Sequence, residues 1–351
     1  MRLTGLRGVG KTVLLAEFAE QARGANWAVA TLELRPPHNK EQTLLSDLMP
    51  LLEETRRRLS TAGMIKKAIG DVGRAVGRVG LTYNDVKVTY DSSQASTKTG
   101  DLVEVLLETV REATKHGREG FLLLLDEAQA IRDDRDSGGQ HSLSMLISAT
   151  SSIQKEAIPL GLVLCGLPTL AGNLLRARSY TERMFRGEEV GRLDVPEATA
   201  AFTEALKLTQ IRASADLVEN VVAEVEGYPY FIQLWGAALW DAAIDAGAEE
   251  LSMDVLRLTT PEIYRRLDLD FYEPRLATLT PAEQDLLLAS VVCSYPPLET
   301  IEMNGSIPKS PGNINVLLGR LVEAGVLYRP RKGQYEYTAP KFREYLLRRN
   351  K

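Results

Sequence analysis

Residues 5–12 read Gly-Leu-Arg-Gly-Val-Gly-Lys-Thr, the full G-x-x-x-x-G-K-[ST] pattern of a phosphate-binding loop. Its glycines let the backbone close around an anion with N–H groups aimed inward, and the following helix turns its positive end to the same place. Gly5, Gly8, Val9, Gly10, Lys11, Thr12 and Val13 form the expected binding set. The Lys11 ammonium is expected to reach the β- and γ-phosphates, and the Thr12 hydroxyl to hold Mg²⁺. A plain glycine-rich turn before a helix is the competing reading, and the loop alone does not remove it.

A second constellation weighs against that reading. Phe121-Leu-Leu-Leu-Leu-Asp126-Glu127 is an apolar strand pattern closed by two carboxylates. Asp126 is suited to bind Mg²⁺ through water, and Glu127 to orient and activate the attacking water. The second carboxylate favours hydrolysis over transfer, so a kinase or transferase fits less well.

These residues need a parallel sheet to hold them. Apolar runs alternate with amphipathic stretches in the first half, the rhythm of βα units. Strands are expected at Leu3-Thr4, Ala28–Leu34, Phe121–Leu125, Gly161–Cys165 and Glu189–Leu193, with helices over Lys11–Arg23, Lys40–Leu59, Asp101–His116, Gln140–Glu156 and Pro168–Arg176. Residues 60–100 form an insertion carrying Lys66, Lys67, Arg74 and Arg78, a hairpin signal over Leu81–Tyr90 and a Ser/Thr-rich loop. It reads either as a DNA- or partner-facing arm or as a solvated surface insertion. Residues 196–267 are helical in pattern, and a boundary is expected near Pro274. Beyond it come helices over Pro281–Val292 and Pro311–Ala324, strands over Val326–Arg329 and Gln334–Thr338 about a Lys332-Gly333 turn, and a helix over Pro340–Arg349. Ser310-Pro311 caps one helix and Gly325 stops it.

Composition is that of an ordinary soluble protein, with 44% hydrophobic and 25% charged residues in 351. Cys165 and Cys293 stand in unrelated segments, which suggests no disulfide framework and fits a reducing cytoplasm. His38, His116 and His141 are too scattered for a metal site. Apolar runs such as Phe121–Leu125 are far too short to cross a bilayer, and Met1–Thr4 has no signal-peptide character, so a cytoplasmic location without membrane contact is expected. Charge is uneven. Arg275–Lys351 holds 11 Lys+Arg against 7 Asp+Glu, whereas the rest holds 31 against 40. An anionic partner is therefore expected at the C-terminal end only.

With both motifs in place, the chain resembles the AAA+ ATPases, in particular their initiator-type (origin-recognition-like) and signal-transduction (STAND) branches. The resemblance implies an α/β fold: a P-loop NTPase parallel-sheet core over 1–195, a helical lid over 196–273 and a C-terminal winged helix over 274–351. It implies ATP and Mg²⁺ as ligands, with Thr12 and Asp126 on the metal. The stretch from Leu318 to Tyr335 looks like the third helix and wing of such a domain. Gly227-Tyr228-Pro229 is similar to the G-x-P element of STAND lids, which places Gly227 and Pro229 near the nucleotide. An arginine finger, reaching a neighbour's γ-phosphate in trans, is sought among Arg176, Arg178, Arg183 and Arg186, with Arg183 preferred.

Three features depart from the family pattern. The fourth strand ends Leu164-Cys165-Gly166-Leu167-Pro168, without the polar first sensor. The lid lacks the usual second-sensor arginine. Residues upstream of the P-loop that cradle adenine in family members are not in this sequence, so affinity is expected to rest mostly on the phosphates. Slow hydrolysis through Glu127 is the expectation; a non-catalytic nucleotide-binding scaffold, or a DNA-binding regulator recruiting a protein partner, is the alternative. Homo-oligomers are compatible with either.

The basic end supplies the possible DNA contacts. Arg329, Arg331, Lys332, Lys341, Arg343, Arg348, Arg349 and Lys351 crowd together against Glu336 and Glu344. A winged helix sets its recognition helix in the major groove while the wing touches phosphates. Ile314, Leu317, Leu318 and Leu321 are expected inward, Asn313, Asn315 and Arg320 outward, with Arg320, Arg329, Arg331 and Lys332 as the DNA-facing set. Packing or regulatory service of the same domain is the competing reading.

Overall fold

The computed structural model describes residues 1–71, 99–134, 140–178, 181–207, 209 and 211–350. Arg74, Arg78, the Leu81–Tyr90 hairpin, the loop after it and Lys351 lie outside the described residues, as do the side chains of Lys66 and Lys67. The chain divides into two compact units: Met1–Leu3, Thr12–Gly166 and Leu170–Glu188 form one, and Thr4–Lys11, Leu167–Thr169 and Glu189–Lys351 the other.

A five-stranded sheet organises the first unit. Its strands are β1 (Arg2–Thr4), β2 (Ala28–Glu33), β3 (Phe121–Asp126), β4 (Leu160–Gly166) and β5 (Gly187–Glu189), in the order β2-β3-β4-β1-β5. β2 with β3 and β3 with β4 pair in parallel, Ala28 opposite Phe121 and Phe121 opposite Leu160. The rungs from Met1 to Leu162 and Leu164 keep β1 parallel to β4. The carboxyl ends of β1, β3 and β4 therefore share one edge, the edge where ligands bind in open α/β sheets.

Helices α1 (Lys11–Gly24), α2 (Glu41–Asp71), α3 (Thr99–Lys115), α4 (Ser142–Gln154) and α5 (Thr169–Ala177) accompany the sheet. Phe121, Leu123, Leu124 and Leu125 are all buried, which explains a continuous apolar run in β3 rather than an alternating one. Along α3, Leu102, Leu106, Val110 and Ala113 are buried at three- and four-residue spacing. α2 runs well past the expected Leu59, because the residues after it include good helix formers and no proline. β5 is a correction: it ends at Glu189, where the expected strand began. The Val190 N–H adds one rung to the Thr4 carbonyl (2.7 Å), then Leu193 turns its N–H to the Gly227 carbonyl (2.8 Å).

The second unit is mostly helical: α6 (Val195–Lys207), α7 (Ala215–Val225), α8 (Pro229–Ala246) and α9 (Met253–Arg266), then a π-helical turn over Leu267–Tyr272 and a helical turn over Glu273–Ala277. Pro274 stands in the first positions of that last turn, where proline is tolerated because its missing N–H would lack a helical partner. Next come α10 (Pro281–Ser290), β6 (Leu298–Glu299), α11 (Thr300–Ser306), α12 (Pro311–Glu323), β7 (Leu327–Tyr328), β8 (Gln334–Tyr337) and α13 (Phe342–Arg349). β8 lies between β6 and β7, antiparallel to both. The sequence pattern had not shown β6 and α11, which are too short to carry a period. Ser310 accepts the Asn313 N–H (3.4 Å) and Gly325 takes φ 68°, so both expected ends of α12 hold. One apolar cluster, including Phe202, Trp235, Phe271, Leu318 and Phe342, runs through the unit. Among the described residues no helix is long and apolar enough to cross a membrane.

Candidate functional site

The phosphate loop leaves β1 at Gly5. A Cβ there would stand 2.3 Å from the Val190 carbonyl oxygen, so the position excludes any larger residue. Gly8 and Gly10 take φ 80° and 86°, the left-handed backbone that turns the loop's amides inward. Lys11 is 7% exposed, and its ammonium donates to the Leu6 carbonyl (2.8 Å), folding back over its own loop. Val9 is buried in the apolar cluster, whereas the Val13 side chain is exposed on the first turn of α1.

The helical segment closes on this loop. Tyr230 donates its N–H to the Gly8 carbonyl (3.1 Å), and the Pro229 ring lies 3.9 Å from where a Gly10 Cβ would be. Gly227 has φ 73°, and a Cβ on it would fall 2.1 Å from the Leu193 carbonyl oxygen. Replacing Gly227 with alanine is thus expected to cost about 1–3 kcal/mol in backbone strain alone, with the clash added. A thermal melt within a degree of the parent would contradict this.

In the first unit, the Thr12 hydroxyl donates to Asp126 Oδ2 (2.7 Å), and Asp126 Oδ1 accepts the Glu127 N–H (2.8 Å). Asp126 is 8% exposed. Two hard oxygen donors this close suit Mg²⁺, which takes one or two protein ligands and keeps its remaining waters. Glu127 sits at φ 50°, turned out of the strand direction. The Gln129 side-chain amide donates to Glu127 Oε2. Gly166 ends β4 beside it: a Cβ there would lie 2.3 Å from Gln129 Oε1. Asn173 of α5 donates to the Gln129 carbonyl (3.3 Å). Sequence reasoning missed Gln129, Gly166 and Asn173; the one available signal was an amide two residues after the carboxylate pair.

The four arginines considered as a finger differ. Arg176 donates to Asn173 (2.6 Å), Arg178 to Ser148 (3.4 Å), and Arg186 pairs with Glu188 (2.6 Å). Arg183 is exposed and makes no ion pair among the described residues.

At the C-terminal end, Ile314, Leu317, Leu318 and Leu321 are buried while Asn313, Asn315 and Arg320 are exposed, as the helical period required. Arg329, Arg331 and Lys332 are exposed on the β7–β8 connection, with Arg329 over the Tyr335 ring (5.8 Å). The other basic residues do not join them. Lys341 pairs with Glu224 (2.9 Å) and Glu226 (3.6 Å), Arg348 with Asp268, and Arg349 with Glu273 (3.5 Å). Arg343 donates to the carbonyls of Val291 and Cys293 (3.0 and 3.1 Å). Lys341, Arg343, Arg348 and Arg349 are therefore matched to acidic and carbonyl groups of their own unit.

Residues 1–163 match the model of the AAA ATPase domain. Over those residues the chain carries an AAA ATPase domain. A second family model, a domain of unknown function (DUF8462), matches residues 269–346. Among solved structures the chain is similar to the Walker-type ATPase PABY2304 of Pyrococcus abyssi, at 16% identity and TM-score 0.59, over 99% of this chain and 90% of that one. The Thermotoga maritima RuvB Holliday junction branch migration motor follows at 15% identity and TM-score 0.44, over 99% and 86%. The Aeropyrum pernix ORC1 protein in complex with DNA matches at 15% identity and TM-score 0.42, again over 99% and 86%. No curated protein matches significantly. At 16% identity the likeness to the Pyrococcus abyssi structure speaks for the fold alone, and the AAA ATPase assignment rests on residues 1–163.

Proposed function

We propose that this AAA+ protein binds Mg·ATP and works as a nucleotide-dependent switch of the initiator-like or STAND kind, hydrolysing ATP slowly. Gly5, Gly8, Val9, Gly10, Lys11, Thr12 and Val13 hold the phosphates, Thr12 and Asp126 the metal, and Glu127 activates water. The observation that carries this reading is the 2.7 Å hydrogen bond from Thr12 to Asp126, which brings together the two motifs' metal-binding oxygens one residue before Glu127. We divide the chain into a core (1–195), a helical lid (196–273) and a winged helix (274–351). Two backbone hydrogen bonds support a switch: the loop's Gly8 carbonyl is held by Tyr230, and its Arg7 N–H donates to the Thr338 carbonyl (3.0 Å). A change in the loop on nucleotide binding would thus be felt in both C-terminal segments. The test is phosphate release from Mg·ATP by the full chain beside direct nucleotide binding; no binding at millimolar nucleotide would refute the reading.

Binding without turnover is the second reading. What favours it is the apolar close of β4, where Cys165 and Gly166 stand in place of a polar sensor. In a homo-oligomer, Arg183 is the finger we would assign in trans.

We also propose a phosphate-backbone contact for the wing. Replacing Arg329, Arg331 and Lys332 together should weaken duplex DNA binding and lower its salt slope by about one per lost phosphate contact. Parent protein that ignores DNA at low salt would rule the contact out and leave the packing role.

A further inference from the structure

Two arginines at the phosphate loop have no counter-charge among the described residues. Arg7 is the third residue of the loop, and Arg275 belongs to the helical turn over Glu273–Ala277. The Nε of each is buried with no hydrogen-bond partner, and neither forms an ion pair among the described residues. Both are half-buried, and they are near enough to repel: burial first, then the Arg7 charge, pushes Arg275 down to about 10.

Arg275 is nonetheless held firmly. It donates to the Phe271 carbonyl, and its guanidinium lies 4.0 Å from the Phe271 ring centroid. Phe271 stacks on Tyr230 (4.9 Å), the residue bound to Gly8 of the loop. The Arg7 Nη2 lies 3.8 Å from the Cβ position of Gly325. Burying one unpaired cation is costly, and burying two together costs more. Preorganised guanidinium forks with no acid to meet have the geometry that tetrahedral oxyanions accept in bidentate fashion.

We propose that Arg7 and Arg275, walled by Tyr230, form a seat for a phosphate group beside the phosphate-binding loop. The phosphate belongs either to the end of a bound nucleotide or to free inorganic phosphate. The inference deepens the ATP-switch reading above. It would make anion occupancy the event that ties the loop to the helical turn before α10.

Thermal melts and nucleotide titrations of the full chain test it, using sodium phosphate at matched ionic strength, Mg·ADP and Mg·ATP as probes. Phosphate alone should raise the parent's melting temperature saturably; Arg275→Gln and Arg7→Gln should lose most of that rise, while Arg275→Lys, which keeps the charge but not the fork, should keep only part of it. If the terminal phosphate is the natural occupant, the two Gln variants should bind Mg·ATP about tenfold more weakly with Mg·ADP unchanged. If both nucleotides bind as in the parent and only the phosphate effect is lost, the occupant is free phosphate. Should Arg275→Gln fail to fold, Arg7→Gln gives the same reading, since its side chain makes no hydrogen bond among the described residues. A phosphate effect that vanishes in Lys11→Ala but survives in both Gln variants, or no effect of those variants on any probe, overturns the seat. A parent that binds no nucleotide yet shows the arginine-dependent phosphate effect would keep the seat and discard the ATPase reading.

Discussion

Lys11→Ala should weaken Mg·ATP binding roughly a hundredfold or more, which corresponds to about 2.7 kcal/mol. Lys11 is 7% exposed, and its ammonium is already folded over its own loop at the Leu6 carbonyl, so it meets phosphate without having to be ordered or fully stripped of water first. Charge-assisted contacts of that kind are about twice as strong as neutral ones. Alanine is also the best helix former, and Lys11 opens α1, so the variant should fold. A fluorescent ATP analogue titrated into both proteins, with circular dichroism confirming equal helix content, gives the comparison. Parent-like affinity would mean the loop does not hold phosphate.

Glu127→Gln should behave in the opposite way, keeping Mg·ATP affinity within about threefold and losing turnover by about 10²–10⁴. Glutamine is nearly isosteric with glutamate but is not a base. Asp126 and Thr12 remain to hold the metal, and the Glu127 backbone N–H still reaches Asp126 Oδ1 (2.8 Å) whatever its side chain. The readout is single-turnover phosphate release at saturating Mg·ATP. A parent with no measurable turnover would instead favour the scaffold reading, and equal turnover in both proteins would remove Glu127 from the reaction.

Much of the nucleotide half of this protein was legible beforehand because its determinants are local. A glycine at φ 80° or 86° and the lysine after it act through contiguous backbone, so eight consecutive residues describe them. β3 was legible for a related reason: burial on both faces writes an unbroken apolar run. β5 was misplaced because Glu189–Leu193 suits a strand, yet after the Val190 rung to Thr4 the Leu193 N–H turns to the Gly227 carbonyl. Propensity cannot report which partner a backbone group meets.

The basic tail makes the same point with charge. Counting residues predicted one anion-seeking surface, but Lys341, Arg348 and Arg349 face Glu224, Glu226, Asp268 and Glu273, acids far off in sequence. The four residues expected to face DNA, Arg320, Arg329, Arg331 and Lys332, are all exposed. Gln129 on Glu127, with Gly166 shaped to admit it, was equally invisible, because a close approach between two loops leaves no period in either.

By itself, the sequence determined the phosphate loop, the carboxylate pair and the strand–helix alternation that carries them, since each depends on residues adjacent or one helical turn apart. Only the tertiary structure decided which charges are neutralised within the chain, what restrains Glu127, and that Arg7 and Arg275 come near enough to repel with no ion pair to either among the described residues. Those outcomes depend on distances between segments far apart in the chain, which folding sets and composition does not record.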